Sequence, residues 1–571
     1  MNQATFGPTL KGVAAIKNQG PKNWILEQFS LPVTQYTVGL DFVHVLEGNC
    51  DRGVFDYHII AANCQRDNFY SDPIIWEFNR QAIYAPDQLR GRIAFAMSEI
   101  LVGQGEGSTP TYGMRLHQQN FRNQAFGNFY DMLRAFALSP MTGDFINNVN
   151  NEGKAPNQNF GREFLQLFSV GPCLLNQDGT QVNGRCMPTY TETIALNHAY
   201  SLSGMTYPKG GYSRFTNPSP DAWNPTFFGG PMVFVAAKHE SPAAIAAGTV
   251  RELLSGVKIT ASKDGPAAFE AVMNGVKLHP NVAPFICKQL IQRLVTSNPR
   301  PEYVARVAAA FTSGQYGDIG TGLKGDLKAT IAAILLDTEA RDLTKAAHVN
   351  YGKLKEPIIY MASLFRALEG STTDGRQSGR QRIGDQLGQL PFFSATVFNF
   401  FHPDNPLPGR NPNALYGPEF EILGSNELVA RANFDNELLF RGYNFGIGIR
   451  PKCEIHIYPD KDTGICPSAP DGLPRLDSPW DIITHLEYKS LTAIAQDASV
   501  LVRTMNTVFA ADNIPEAELL MMIDAVGKWT LSSNTADNGK LVNIFKTDYL
   551  TERVKLAMYL VRKSVFYQIQ R

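Results

Sequence analysis

Arg162 and Glu163 stand side by side in "APNQNFGREFLQLFSVG", residues 155 to 171. A guanidinium offers a planar fork for a carboxylate, sulfate or phosphate, and a carboxylate beside it can move a proton or bind a cation. At helical spacing Phe160, Phe164, Leu167 and Phe168 gather on one arc, and Asn159, Arg162, Glu163, Gln166 and Ser169 on the opposite one. The segment therefore predicts an amphipathic helix over 157–169. Its polar arc holds no Lys and a single carboxylate, whereas an ordinary solvent-facing helix interleaves several charges. Two roles stay open for the pair: an anion clamp with an acid or base next to it, or an ion pair that ties the helix to a neighbour.

The other chemistry-bearing residues are sparse. Glu192 and His198 lie six apart on one predicted helix, which is not a shared-face spacing, so they form no zinc-protease motif. His279 precedes Pro280 and is expected to cap or pack at a helix start; a structural role is also expected of His117 and His198. His239 with Glu240 in "AAKHESP" and His402 with Asp404 in "FHPDN" fall on predicted loops, where function concentrates. With Arg162 and Glu163, these two histidines complete the candidate catalytic set. Asp460 and Asp462 in "PDKDTG" lack the glycine placement of a calcium loop and read as a turn. No close Cys/His set offers four ligands, and no P-loop, Rossmann fingerprint or G-x-S-x-G elbow is present, so neither metal nor cofactor is assigned. Aromatic residues make up 11% of the chain and crowd "FGNFYDMLRAF" and "VFNFFHP". Sugar-binding clefts use such rings beside carboxylates, although Phe at helical spacing more often builds core.

Helical periodicity must position these groups. It runs through "DPIIWEFNRQAIYA", "DQLRGRIAFAMSEILVG", "MRLHQQNFRNQAFGNFYDMLRAFALSP", "YTETIALNHAYSLSG", "SPAAIAAGTVRELLSG", "NVAPFICKQLIQRLV", "PEYVARVAAAFTSG", "DLKATIAAILLD" and "KEPIIYMASLFRAL", and through the C-terminal stretch. The expected fold class is mainly α: a large multi-helix domain with short disulfide-stapled β-hairpins. An N-terminal helical lobe over 1–260 would carry the "NQNFGREFLQLFSVG" segment, and a C-terminal lobe over 261–571 would carry a stapled hairpin near 450–468. Pro, Gly and Asn gather at 205–232 and 402–418; the second of these loops, rich in aromatic residues, is placed to roof a cleft.

Composition narrows the function classes. Lys plus Arg (52) nearly cancels Asp plus Glu (53), leaving no cationic excess to displace counterions from a phosphate backbone, so nucleic acid is not an expected partner. No apolar run reaches the length of a membrane span. Cys50 and Cys64, Cys173 and Cys186, and Cys453 and Cys466 bracket three nearly equal intervals, two of them containing hairpin-like turns. Three local disulfides are expected, against the alternative of reduced thiols in the cytoplasm. Cys287 is left over on an apolar helical face and is expected to be a buried free thiol.

Several segments, in order and spanning about residues 1 to 430, resemble one bacterial family, the Domain of Unknown Function 1800 family. They are "NQATFGPT", "LRGRIAFAMSEILV", "FRNQAFGNFYDMLRAFALSP", "NQNFGREFLQLFSVG", "PTYTETIALNHAYSLSG", "HPNVAPFICKQLIQRLVTSNP" and "SATVFNFFHPDNPLPG". The central one is similar to that family's Asn-Glu-Asn-Tyr-Ala-Arg-Glu signature, with Gln158, Phe160 and Gly161 in place of its Glu, Tyr and Ala. These departures remove a carboxylate and a phenol hydroxyl, so a mechanism needing either fails here. The resemblance implies a mostly helical, often exported protein, often encoded near a sulfatase-like protein, with no established reaction. It also implies a leader segment upstream of the chain's first motif, in keeping with the disulfides. The resulting expectation is a periplasmic or secreted protein that binds or hydrolyses an extracellular anionic or polyhydroxylated, glycan-like polymer, with Arg162 as anion clamp and Glu163 as acid or base. The competing expectation is a non-catalytic envelope or surface-assembly protein in which that pair is structural.

Overall fold

The computed structural model describes residues 1–36, 72–104, 110–209, 227–342, 350–372, 384, 386–409, 414–441, 484–529 and 541–570. The expected pairs Cys50–Cys64 and Cys453–Cys466, and the hairpin near 450–468, lie outside them.

The first helices are α1 (Leu10–Ser30), α2 (Asp72–Tyr84), α3 (Gln88–Ser98), α4 (Thr111–Gln124) and α5 (Phe129–Ala137). The periodic run from Met114 to Pro140 is two helices. Asn128 interrupts it, and its side chain accepts the Tyr130 N–H at 3.0 Å to start the second. Then come α6 (Asn159–Gln166), α7 (Glu192–Ser201), α8 (Gly265–Leu278), α9 (Val282–Leu294), α10 (Pro301–Ser313) and α11 (Leu327–Leu336). Side-chain caps start several of these helices: Thr191 on α7, Asp264 on α8 and Asp326 on α11. Gly314, at φ 67°, ends α10 in the left-handed conformation. The longer helices that follow are α12 (Pro357–Ala367), α13 (Ser425–Asn436), α14 (Ala498–Ala510), α15 (Glu516–Gly527) and α16 (Leu541–Lys563).

One expected helix is corrected. "SPAAIAAGTVRELLSG" stays helical only over Pro242–Ala246; Gly248 turns the chain at φ 59°, and Val250–Glu252 pairs antiparallel with Lys258–Thr260. Backbone pairing outside the segment overrides its helical period there.

Two apolar cores hold the helices. The first gathers residues of α1, α3, α5, α6 and α8–α11, on both sides of position 260. The second gathers α2 and α12–α16, together with Phe6. Helix α9 packs on α10 and α3, and α6 lies on α7 so closely that a Cβ on Gly161 would sit 2.9 Å from the Ala199 backbone nitrogen. Gly161 is what permits this contact. The β structure among the described residues consists of short antiparallel pairs, one of them joining Lys353–Leu354 to Ile569–Gln570. The protein is mainly α, as the periodicity predicts. Cys173 and Cys186 form a disulfide, and Cys287 is a buried free thiol. No helix among the described residues is long and apolar enough to cross a membrane.

Candidate functional site

Helix α9 has two faces. Cys287, Leu290, Ile291 and Leu294 point into the first core, while Phe285, Lys288, Gln289, Gln292 and Arg293 recur at the i, i+3, i+4, i+7, i+8 positions of the opposite stripe. That stripe is the floor of a cavity of about 700 Å³. The end of α3 adds Glu99, Ile100 and Val102 to it.

Two walls rise from the floor. One is the C-terminal end of α6, at Gln166 and Leu167, with the disulfide loop that follows. Asn281, just ahead of α9, pins this loop: it accepts the Leu175 N–H at 2.6 Å and donates to the Val170 and Cys173 carbonyls at 2.5 and 3.0 Å. The "NQDG" turn within it closes as its residues predict, with Thr180 N–H on the Asp178 carboxylate at 2.9 Å and Gly179 at φ 76°. The opposite wall joins Val397 and Phe398 to His402, Pro403, Asp404 and Tyr416 of the loop expected over 402–418. Gln292 donates to the Pro403 carbonyl at 3.0 Å, and Asn298 exchanges bonds of 2.8 and 2.9 Å with the Tyr416 backbone. Burial lowers the Lys288 ammonium from its ordinary range, with Asp404 opposing.

Of the four residues singled out in the sequence, His402 alone lines this cavity. Its backbone N–H and Nδ1 meet the Glu421 carboxylate at 2.7 and 3.0 Å, and its ring lies 4.3 Å from that of Phe398. Arg162 does not pair with its neighbour. It donates to both oxygens of Glu192, at 2.7 and 3.0 Å, in a pair whose side chains are 36% and 68% exposed. Glu163 is half-buried one turn before Gln166. Its Oε2 has no hydrogen-bond partner among the described residues, and burial raises its carboxyl against the pull of Arg162. His239 is buried elsewhere, donating from Nδ1 to the Ser203 carbonyl at 2.8 Å, next to the buried Glu240–Arg251 pair.

Behind the floor lies a charge cluster that the sequence reading passed over. Arg92 Nη2 and Lys353 Nζ lie 3.7 and 3.1 Å from Glu356 Oε1, and Lys353 also reaches Glu419 at 3.0 Å. Gln389 bridges the two acids, donating to Glu99 at 3.2 Å and Glu356 at 3.0 Å. Arg293 Nη1 stands 3.7 Å from Glu99 Oε2, beyond hydrogen-bond reach, and stacks 4.2 Å from the Phe401 ring. Glu99 Oε2, Arg293 Nη1 and Arg92 Nη1 have no hydrogen-bond partner among the described residues. Burial and the adjacent Glu356 charge push the Glu99 carboxyl well above the usual carboxylate range. Burial opposes the Glu356 charge too, but Lys353, Arg92 and Arg293 outweigh it and hold that carboxyl ionised. The two carboxyls share a side-chain hydrogen bond, which adds to the upward shift of Glu99 and the downward shift of Glu356. The available signal was Arg92 and Glu99 seven residues apart on one apolar helix, with Arg293 alone in "QLIQRLV".

A family model described as "Protein of unknown function (DUF1800)" matches residues 1–569. The chain belongs to the DUF1800 family. No curated protein and no solved structure matches it. In this DUF1800 member, the signature positions that depart from the family pattern have structural work. Gln158 accepts from Arg162 at 3.2 Å, and Phe160 is wholly buried, stacked on Phe164 with ring centroids 5.9 Å apart. No group of three or more His, Cys, Asp or Glu among the described residues could hold a metal ion.

Proposed function

We propose that the chain binds a stretch of polyhydroxylated, acid-bearing polymer in the cavity on α9, outside the cytoplasm. The observation that carries this is the arrangement of Phe285, Phe398 and Tyr416 rings beside the Gln166, Gln289 and Gln292 amides around one space of about 700 Å³. Rings pack on the C–H faces of sugars, and side-chain amides exchange hydrogen bonds with their hydroxyls. The Cys173–Cys186 disulfide supports an oxidising compartment, and the family's link with sulfatase-like proteins fits an anionic polymer. Titration calorimetry with soluble acidic oligosaccharides tests the reading. Phe398→Ala and Tyr416→Ala should each weaken binding about tenfold; wild-type protein that binds none of the ligands refutes it.

Hydrolysis, with Glu163 as acid or base and Arg162 as clamp, is the catalytic form of the same proposal, and Glu163 lies one turn from the cavity wall. Release of reducing ends by wild type but not by Glu163→Gln would support it. The second reading, a non-catalytic surface-assembly protein, draws on neighbouring exposed apolar side chains: Leu520 and Met521 on α15, and Leu428 and Val429 on α13. Light scattering of wild type and Met521→Glu distinguishes an assembling chain from a monomer.

A further inference from the structure

Hydrolysis of the polymer would draw on Arg162 and Glu163, neither of which lines the cavity. Two carboxyl residues do line it, Glu99 and Asp404. Glu99 Oε2 is buried beneath the surface, and the Glu99 carboxyl is engaged by Gln389, Asn399 and Glu356. One carboxylate is left where glycoside hydrolysis ordinarily uses two. The cavity offers a different pair of groups, an imidazole and an ammonium.

His402 is set up as a base. Its Nδ1 lies 3.0 Å from Glu421 Oε1, and a carboxylate only accepts, so Nδ1 carries the proton of the neutral ring and Nε2 keeps a free lone pair. Glu421 Oε2 also accepts the His402 backbone N–H at 2.7 Å, and the Phe398 ring packs 4.3 Å from the imidazole. Glu421 is not on the cavity, so His402 stands between it and the ligand space. The His402 side chain is 42% exposed, and its Nε2 has no hydrogen-bond partner among the described residues. Lys288 stands on the floor one turn before Gln292, whose amide holds the Pro403 carbonyl next to His402 at 3.0 Å. The two groups thus address the same part of the cavity. The Lys288 ammonium is half-buried, lies 5.6 Å from the centre of the Tyr416 ring, and has neither an ion pair nor a hydrogen bond among the described residues; Asp404 attracts it only through space. A partly desolvated cation without a counter-ion favours an anion beside it.

We propose that the cavity cleaves a uronate polymer by β-elimination, with Lys288 holding the sugar carboxylate and His402 as the base that removes the proton from the adjacent carbon. This rests on the polymer-binding reading above and replaces its hydrolytic form. The carboxyl group is what makes that C–H acidic, and Lys288 stabilises the negative charge that gathers on it as the proton leaves. His402 Nε2 takes the proton from C5 of the uronate. The C–H electron pair becomes the C4–C5 double bond, and the C4–O bond to the next sugar breaks with its electrons on oxygen. The imidazolium then gives its proton to that oxygen, so His402 returns to its starting form and no second reactant is consumed. The products are an unsaturated uronate and a new reducing end. Glu421 is the positioning residue, holding the tautomer that leaves Nε2 unprotonated.

The test incubates the whole chain with polygalacturonate, its methyl ester and polymannuronate, and follows ultraviolet absorbance of the conjugated double bond together with reducing ends. Wild type should produce the two signals in equal number. His402→Gln should cut the rate at least about a hundredfold, with a melting temperature near wild type. Lys288→Met should cost about a hundredfold on the acid and little on the methyl ester, whose carboxyl carries no charge to hold. Glu421→Gln should lower kcat at least about tenfold and leave KM unchanged, as expected of a group that acts through the imidazole. Reducing ends without ultraviolet absorbance mean hydrolysis and overturn the elimination, as does a rate that His402→Gln leaves intact. Equal losses on acid and ester overturn the part given to Lys288. Calorimetric binding of the polymers without cleavage overturns the elimination and leaves the polymer-binding reading standing. Binding of none of the three overturns that reading, and the elimination with it.

Discussion

Two buried ionic clusters, one behind the cavity and one among the C-terminal helices, are built from the same residue types and finished differently. In the C-terminal cluster Asp435 is wholly buried and fully engaged. Arg562 and Lys563 reach it at 2.9 and 2.7 Å, the Tyr360 hydroxyl donates to it, and Arg562 further contacts the Tyr567 hydroxyl. Lys355 Nζ has no hydrogen-bond partner among the described residues and Arg431 donates only from Nη2, to the Lys355 carbonyl at 3.0 Å; the two cations lie over the rings of Tyr567 and Tyr360 at 3.6 and 5.1 Å. None of these residues lines the cavity on α9. In the first cluster Glu99 and Arg293 border that cavity, with Glu99 Oε2 and Arg293 Nη1 buried beneath its surface. A network gathered on one fully engaged carboxylate fixes elements in place, whereas one built on two carboxyls that share a bond beside a cavity holds its helices less tightly.

The largest effect that would break the comparison is on Asp435. Replacing it with Ala strands Arg562 and Lys563 and should cost about 3–5 kcal/mol in denaturant unfolding. A loss under about 1 kcal/mol would mean that the C-terminal cluster is not what clamps α12, α13 and α16 together.

Acid should separate the two regions next. His117, set between Phe121 and Phe136, and His198 are fully buried, and burial lowers them to about 3 and about 4 respectively, the Ile194 carbonyl opposing in the second case. Both native-state values lie below the ordinary one, so between about pH 6.5 and those values the unfolded chain binds protons that the folded chain refuses. Stability therefore falls as pH drops through that window, by up to about 1.4 kcal/mol per unit for each histidine. Hydrogen exchange corrected for intrinsic rates should show peptides of α4 and α7 losing protection at pH 5 before those of α14 and α16. Simultaneous loss everywhere would show one cooperative unit instead.

Glu99→Gln should do little to stability, within about 1 kcal/mol at neutral pH, since it replaces a carboxyl already held neutral by an amide of the same shape. Calorimetric melts that place it near Asp435→Ala would erase the distinction between the clusters. The smallest expected effect is that of Arg162→Gln, under about 1 kcal/mol, because the Arg162–Glu192 pair is solvated and screened. A loss of several kcal/mol would return that pair to the buried, helix-tying role considered for it.

The helices were legible because their apolar stripes repeat locally, and the stripe Cys287, Leu290, Ile291, Leu294 is a case in point. Val250–Glu252 was not, because its pairing with Lys258–Thr260 is decided by a neighbour and a glycine turn. That residues beyond His402 border a cavity could be read from Pro, Gly and aromatic content, but not that the cavity lies away from Arg162 and Glu163. The charge cluster could not: Glu99, Arg293 and Glu356 come from three distant helices or their ends, and the few charges in each apolar segment give no sign of the others. Arg162 and Glu163 drew attention because they are adjacent in the chain, yet Arg162 turns to Glu192, thirty positions away.

The short pairing of Lys353–Leu354 with Ile569–Gln570 bears on the order of events during synthesis. Gln570 also donates to the Leu294 carbonyl at the end of α9, and Lys355 N–H bonds the Gln568 carbonyl. Lys353 itself reaches Arg293, Glu356 and Glu419. The strand that braces this lysine is thus made more than two hundred residues after it. A nascent chain would hold helices α3 and α9 long before the charges between them are locked, and such late, long-range closure is intrinsically slow.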